Sequence, residues 1–432
     1  MKTHNKLLLT PLILAFSSNI YATNGYWPHG YGAKSKSIAG ACVAMAFDTM
    51  CAATNPGSMV HLGNRMDFGL AFFAPERGFT ANNDASPIGP PTGPASIPAG
   101  TYESANDWFL IPHLGYNRML NNDTSIAITI GANGGMNTEY DGAVFRNFSN
   151  PMEPSTQASS PTGIDVMQMF VGINYSKKIN QQHSFGITPI FAFQTLEAQG
   201  LEPFKPFSLH PDKVTNNGHD RSIGGGLRVG WLGKITDQLT LGASYQSKIW
   251  MSQFDDYKGL LAEEGDFDIP ANYDLGFAFK ATPSLTLAFD YQRIEFGNVK
   301  ALSNASDLAF MPGRTLLGTE NGLGFGWEDL DIFKFGLQWE SSPDLSFRLG
   351  YSRANKTFQN QQALFNLLAP AITRTHYTFG FSTPITEAVE LSLAFMYAPK
   401  EKLYGTNVNT GPQTGFVEME QYEIILTWGI KF

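Results

Sequence analysis

Beyond residue 65 the chain keeps returning to one pattern. Runs of about ten residues alternate apolar with small or polar positions, the length and period that a barrel strand needs. The run at 421–432, QYEIILTWGIKF, shows it most clearly. Tyr422, Ile424, Leu426, Trp428, Ile430 and Phe432 make one face, and Glu423, Ile425, Thr427, Gly429 and Lys431 the other. A half-buried strand of a soluble sheet alternates in the same way. Here, however, aromatics stand at both ends of the apolar face, with aliphatic residues between them. That order fits a strand whose apolar face meets lipid and whose aromatics mark two interfaces.

Fourteen such runs begin near Met66, Asn106, Asp123, Ile164, His183, Asp220, Gln238, Pro270, Ser284, Asp329, Asp344, Arg374, Ala388 and Gln421. Their connections alternate in length. MLNN, KKINQQ, ITD, ATPS, ESSP and TPITE are short, whereas 79–105, 136–163, 198–218, 252–269, 298–326, 355–373 and 399–420 are long. Short turns at one end and long loops at the other are expected of outer-membrane barrels, and a sandwich has no reason to alternate so. The pattern predicts an all-β fold, a 14-stranded antiparallel transmembrane β-barrel. Pairing of the last strand with the first would leave no open edge.

The first 22 residues, MKTHNKLLLTPLILAFSSNIYA, depart from this pattern. Lys2 and Lys6 precede an apolar run too short to span a bilayer, and Ile20-Tyr21-Ala22 suits cleavage. This predicts a signal peptide over 1–22, followed by an N-terminal segment over 23–65 and the barrel over 66–432. No later apolar stretch reaches the roughly 18 residues of a membrane helix. The 43 glycines, with charged residues at 16% and aromatics at 13%, suit a β-rich exported protein. Without the leader's two lysines the chain carries 27 basic and 38 acidic residues, a net charge of −11. That balance argues against a nucleic-acid partner.

Strand parity places Arg228, Asp274, Lys280, Asp290, Lys334, Arg348, Arg374, His376, Glu390 and Glu423 on the inner face, where charges imply water, a plug or mutual pairing. Residues 23–65 supply a candidate plug. Trp27, Tyr31, Val43, Met45 and Phe47 need burial, the nearest interior is the lumen, and Ala39–Phe47 reads as a short helix. Two cysteines, Cys42 and Cys51, lie in this segment. In an oxidising compartment they can close one disulfide, and the other reading is two buried free thiols.

Several stretches resemble the FadL/TodX family of outer-membrane transporters for hydrophobic compounds. Asn55-Pro56-Gly57 stands where that family carries Asn-Pro-Ala in its N-terminal hatch. Gly30-Tyr31-Gly32 and Ser37-Ile38-Ala39-Gly40-Ala41 are similar to the hatch's opening residues. Gly322-Leu323-Gly324-Phe325-Gly326-Trp327-Glu328-Asp329 resembles the segment before the tenth strand. Leu349-Gly350-Tyr351-Ser352 and Tyr377-Thr378-Phe379-Gly380 match later strands. The likeness spans the chain after its leader. Gly57 in place of Ala, the two cysteines, and a loop with Pro87, Pro90, Pro91, Pro94 and Pro98 depart from it.

The resemblance implies passive uptake through a hatch-plugged barrel with a lateral exit into the bilayer. The cargo would be a hydrophobic small molecule: a long-chain fatty acid, an aromatic hydrocarbon or an alkane. It further implies contact with outer membrane lipid and lipopolysaccharide, insertion by the barrel assembly machinery, and a monomer. The third strand runs Ile126, Ile128, Ile130 and then Gly131-Ala132-Asn133-Gly134-Gly135. Gly131, Gly134 and Gly135 suit either a kink at the exit, beside Asn55-Pro56-Gly57, or the end of a strand entering its loop. Leu201, Phe204, Phe207, Leu209, Leu260 and Leu261 are loop residues costly to expose unless they form a ligand groove, and Tyr257–Glu264 reads as a short amphipathic helix. Lys205, Lys258 and Arg314 are candidate carboxylate contacts. No metal spacing, cofactor motif or Gly-x-Ser-x-Gly element accompanies His113 or His376, so no enzyme is expected. A general porin and an adhesive barrel are the remaining alternatives.

Overall fold

The computed structural model describes residues 24–83, 96–306, 316–407 and 413–432. The expected leader at 1–22, the prolines at 87–94 and Arg314 lie outside these residues. Fourteen long strands form one antiparallel sheet: β1 (Arg65–Ala81), β2 (Phe109–Asn121), β3 (Thr124–Tyr140), β4 (Thr162–Lys178), β5 (His183–Gln199), β6 (Asp220–Lys234), β7 (Leu239–Gln246), β8 (Asn272–Thr282), β9 (Leu285–Ile294), β10 (Leu330–Ser342), β11 (Leu345–Ala354), β12 (Thr375–Pro384), β13 (Val389–Asn407) and β14 (Gln413–Lys431). Each pairs with the next, and β14 pairs with β1 from Arg65–Lys431 to Ala81–Gly415, which closes the sheet into a barrel. Two short pieces, Gly100–Glu103 and Trp250–Met251, pair at the long-loop ends of β1 and β6.

Alternation sets the two faces. On β14, Gln421, Glu423, Ile425 and Thr427 are buried, while Tyr422 and Ile424 are exposed. The outer face carries interlocking aromatic pairs across neighbouring strands, such as Phe289–Phe335 at 5.1 Å and Tyr397–Tyr422 at 5.2 Å. Cross-strand pairs of this kind also hold the register. A one-residue slip of register would put Glu423 and Asp290 into lipid.

β13 and β14 depart from the expected layout. They continue as a hairpin through much of the stretch anticipated as a loop at 399–420. A bulge between Ala398 and Glu401 shifts their register. Beyond it the outward positions Lys402 and Glu418 form an ion pair of 3.0 Å, next to the aromatic pair Tyr404–Phe416 at 5.2 Å, so charge interrupts the apolar face although the ladder persists.

Residues 24–64 fill the lumen. Their short helix is Gly32–Lys36, not Ala39–Phe47, where Ala39 and Gly40 have left-handed backbones (φ 54° and 80°) incompatible with a helix. Two 3-10 turns follow, Thr49–Ala53 and Pro56–His61, capped by Asp48 and Asn55. Ion pairs and backbone donors tie the segment to the wall. Lys34 pairs with Glu390 and Lys36 with Glu423; Arg65 bridges Asp67 at 2.7 Å and Glu390 at 2.9 Å. Ala33 N donates to Thr427 (3.1 Å), Ala39 N to Thr378 (3.0 Å) and Val43 N to Asp290 (2.8 Å). Much of the expected inner charge is thus spent on holding this segment. Lys280, by contrast, is exposed near the short-turn end, and Arg374 pairs with Glu401 at 2.8 Å. Cys42 and Cys51 are both buried and free, so the expected bridge is not formed. Ser35 Oγ lies 3.1 Å from the Cys42 sulfur, and Phe47 N donates to the Cys51 sulfur at 3.4 Å.

Candidate functional site

At the long-loop end, segments from several connections meet over the barrel mouth. They enclose an apolar cleft with about 580 Å³ of empty space, part of it open to solvent. Leu201, Phe204, Leu260 and Leu261 line it, four of the six residues expected to form a groove. Phe207 is only half-buried and does not line the cleft, and Leu209 points outward, 44% exposed. The segment 257–264 is no helix: one turn spans Asp255–Tyr257, and Glu263 and Glu264 have left-handed backbones.

Phe145 and Phe365 were not anticipated. They come from the long connections after β3 and β11 and meet Phe204 edge-on, at 5.0 and 6.0 Å between ring centres. Phe148 tilts against Phe204 at 5.6 Å. Edge-to-face contacts of this kind make a preformed aromatic wall. Among the described residues, those lining the cleft include no ionisable side chain. Lys205 and Lys258 adjoin it in sequence and are half-buried, but neither lines it.

The second element is in the wall. β3 does not end at its glycines; it runs on to Tyr140, carrying a bulge. Ala132 faces Met169 and Gly134 faces Gln168, so Asn133 is the extra residue, and Gly134 has φ 144°. On the other side, the β2–β3 ladder stops at His113–Gly131, although β2 continues to Phe109 and pairs there with β1. Backbone pairing resumes at Ser104–Tyr140 and at Ala105, whose N donates to the Glu139 carbonyl at 2.7 Å, and Arg77 bridges the two sides by donating to the carbonyls of Asn106 and Asn137. Between these two points the strands run side by side without ladder pairs. Pro112, which has no N–H to donate, stands at this edge. A cavity lies directly behind, lined by Ile111 and Pro112, by Gly131, Ala132 and Gly134, and by Tyr31 and Met50 of the luminal segment.

Asn55-Pro56-Gly57 is not beside this break. Asn55 donates to the carbonyls of Val43 (2.7 Å) and Trp231 (2.8 Å), and Pro56 rests on β5 and β6. The luminal residues at the break include Tyr31, whose hydroxyl donates to Asn133 at 2.9 Å, Lys36 and Met50. The glycines signalled the break. Tyr31 was legible only as an aromatic needing burial, and nothing in the sequence marks Met50.

The sequence matches the family described as "Outer membrane protein transport protein (OMPP1/FadL/TodX)" over residues 28–423. Among solved structures, the Pseudomonas putida toluene transporter TodX is 18% identical with a TM-score of 0.65, covering 96% of this chain and 100% of its own. The Ralstonia pickettii toluene transporter TbuX is 15% identical with a TM-score of 0.62, covering 94% of this chain and 99% of its own. A Pseudomonas aeruginosa FadL homologue is 14% identical with a TM-score of 0.67, covering 96% and 100%. No curated protein matches in sequence.

Proposed function

The chain belongs to the outer membrane protein transport family (OMPP1/FadL/TodX), and from that membership we propose how it moves its cargo. It is an outer-membrane β-barrel that transports hydrophobic compounds. In our reading the loop cleft captures an uncharged hydrophobic molecule, and the cargo leaves sideways into the bilayer through the break between β2 and β3. Residues 1–22 would direct export, 23–65 would be the hatch, and no chemistry is performed on the cargo.

The observation that carries this reading is the interrupted ladder with a cavity behind it. A continuous strand ladder leaves no gap, whereas the 109–112 side of β2 lies against β3 without ladder pairs. A route from cleft to lipid spares the cargo water, which costs roughly 0.8 kcal/mol for every exposed CH₂. The cleft favours uncharged cargo, because leucine side chains dominate its wall and no cation lines it among the described residues, and Phe145, Phe204, Phe325 and Phe365 give an aromatic ring partners there. Toluene is the substrate that the names of TodX and TbuX carry. A second reading, long-chain fatty acids, draws on Lys205 and Lys258 flanking the cleft.

Deletion of Asn133 tests the exit. It removes the bulge while keeping the faces of β3 on both sides of it, so the strand becomes regular. Uptake of toluene by cells should fall, while its binding to the purified barrel is retained. Undiminished uptake in a folded deletion variant rules out the sideways route. Lys205→Ala with Lys258→Ala separates the cargo classes: a loss confined to a fatty acid such as oleate would favour the second reading.

A further inference from the structure

Two cavities meet at the break in the wall. One opens behind Ile111, Pro112 and Ala132; the other lies deeper, against Phe170 and Ile190. Tyr31, Met50 and Gly131 line both and form the partition between them. We propose that Met50 is the movable gate of the sideways exit, with Tyr31 as its fixed post, and that together they set the width of the cargo that leaves. This inference rests on the sideways route proposed above.

The backbone under Met50 is held. Asp48 accepts from Met50 N at 3.0 Å, and Thr49 donates to Asp67 through N (2.9 Å) and Oγ1 (2.8 Å). Asn55 N donates to the Cys51 carbonyl at 2.8 Å. The side chain is buried too, but it borders a cavity on either side. It reaches across β2 and β3 over two glycines: a Cβ at Gly115 would stand 3.3 Å from its sulfur, and one at Gly131 would stand 3.4 Å from its methyl carbon. The thioether fills the notches at these glycines, and the cavities that it borders on both sides give it space to change rotamer, with three rotatable bonds to do so.

Tyr31 is anchored by contrast. Its hydroxyl bonds Asn133, whose amide donates to Gln168 at 3.0 Å; Gln168 donates to Gln194 at 2.6 Å, and Gln194 to the Phe267 carbonyl at 3.0 Å. The post is therefore tied to the bulge itself and to two further strands. A soft, polarisable side chain beside a fixed ring suits a flat uncharged ring as cargo, since sulfur makes favourable contacts with aromatic edges. A single ring passes when Met50 turns aside; a fused-ring hydrocarbon needs more width than one rotamer change supplies.

The test measures uptake of toluene, naphthalene and phenanthrene by proteoliposomes containing the full barrel. Met50→Ala should raise the naphthalene-to-toluene rate ratio roughly tenfold, equivalent to ~1.4 kcal/mol of barrier. Phenanthrene should gain at least as much. Met50→Leu, which keeps the volume, should retain the parental ratio, and Met50→Phe should slow every cargo. Heat-modifiable migration checks that each variant is folded. If Met50→Ala leaves the ratio unchanged while deletion of Asn133 stops uptake, the exit stands and the gate is wrong. If the deletion leaves uptake intact, both exit and gate are wrong. Should Met50→Ala fail to fold, Met50→Ser and Met50→Val are read by the same criterion.

Discussion

Gly186 on β5 and Gly230 on β6 are direct cross-strand partners, and Pro56 lies in the notch that their missing side chains leave. A Cβ at Gly186 would fall 2.3 Å from the Pro56 carbonyl carbon, and one at Gly230 would fall 2.2 Å from Asn55 Oδ1. The notch gives Asn55-Pro56-Gly57 its structural meaning. The tripeptide wedges the luminal segment against one side of the barrel, while Tyr31 and Met50 face the break elsewhere.

Alanine at Gly230 should push that wedge out. The nearest atoms are the capping carboxamide of Asn55 and the ring carbons of Pro56, a stiff pair that cannot move aside cheaply. Overpacking of this kind costs about 1–3 kcal/mol. The compact form of Gly230→Ala should unfold at a lower temperature in SDS, and cells should become more sensitive to a large polar antibiotic. Unchanged heat resistance and permeability would show that the wedge does not hold the luminal segment in place.

Strand count and facing were legible because lipid imposes a period of two that little else imitates. Phe277, Phe335 and Ile424 had to point outward, and they do. The upper hairpin of β13 and β14 was hidden because charged Lys402, Glu418 and Glu420 interrupt its outward face, leaving Tyr404 and Phe416 to mark it. The luminal segment resisted reading for another reason. Lys34 and Lys36 sit buried on one short helix because Glu390 and Glu423, over 350 residues away in sequence, meet them. Local propensity has no access to such partners. The cleft was half legible: exposed-looking Leu201 and Phe204 betrayed themselves, but Phe145 and Phe365 acquire meaning only when three loops converge.

Orientation is testable with two surface positions. Met152 is 89% exposed on a long connection, and the side chain of Asp237 is 98% exposed on a short turn. Single cysteines at each, introduced with Cys42 and Cys51 replaced by serine, should react differently on intact cells. A membrane-impermeant maleimide should label Met152→Cys and spare Asp237→Cys until the cells are broken. Equal labelling of intact cells would overturn the placement of the long loops outside.

His219 provides a pH-dependent tie at the same end. Its Nε2 lies 3.0 Å from Asp165 and its Nδ1 3.0 Å from Glu197, so both ring nitrogens donate only when the imidazole is charged. The hydrogen bond to Asp165 leads in raising its pKa above the ordinary value, helped by the charge of Glu197. A raised histidine pKa contributes stability that is full below about 6.5 and is lost as pH rises through the folded-state value. The imidazole of His219 should therefore titrate late by NMR, and Asp165→Asn should bring its midpoint back down. A midpoint that Asp165→Asn leaves in place would show that the pair is not formed in solution.

Phe432 closes the barrel in a way its position alone does not reveal. Its ring stacks on Tyr116 of β2 at 5.6 Å, and its N–H donates to the Asn64 carbonyl at 3.2 Å. The contact spans β1, tying β14 to a strand it does not pair with. An aromatic pair of this kind is worth about 0.5–1.5 kcal/mol beyond the area it buries. The seam between β14 and β1 joins residues furthest apart in sequence, so it closes at the largest loop entropy and gains most from an extra clasp. Phe432→Ser should lower the fraction of heat-modifiable, folded barrel in the outer membrane, and Phe432→Tyr should restore it. Tyr116→Ala, which removes the other ring, should lower the folded fraction in the same direction. If Phe432→Ser inserts as efficiently as the parent, the backbone ladder alone closes the seam. If Phe432→Ser fails but Tyr116→Ala does not, the terminal ring is needed for something other than this stack.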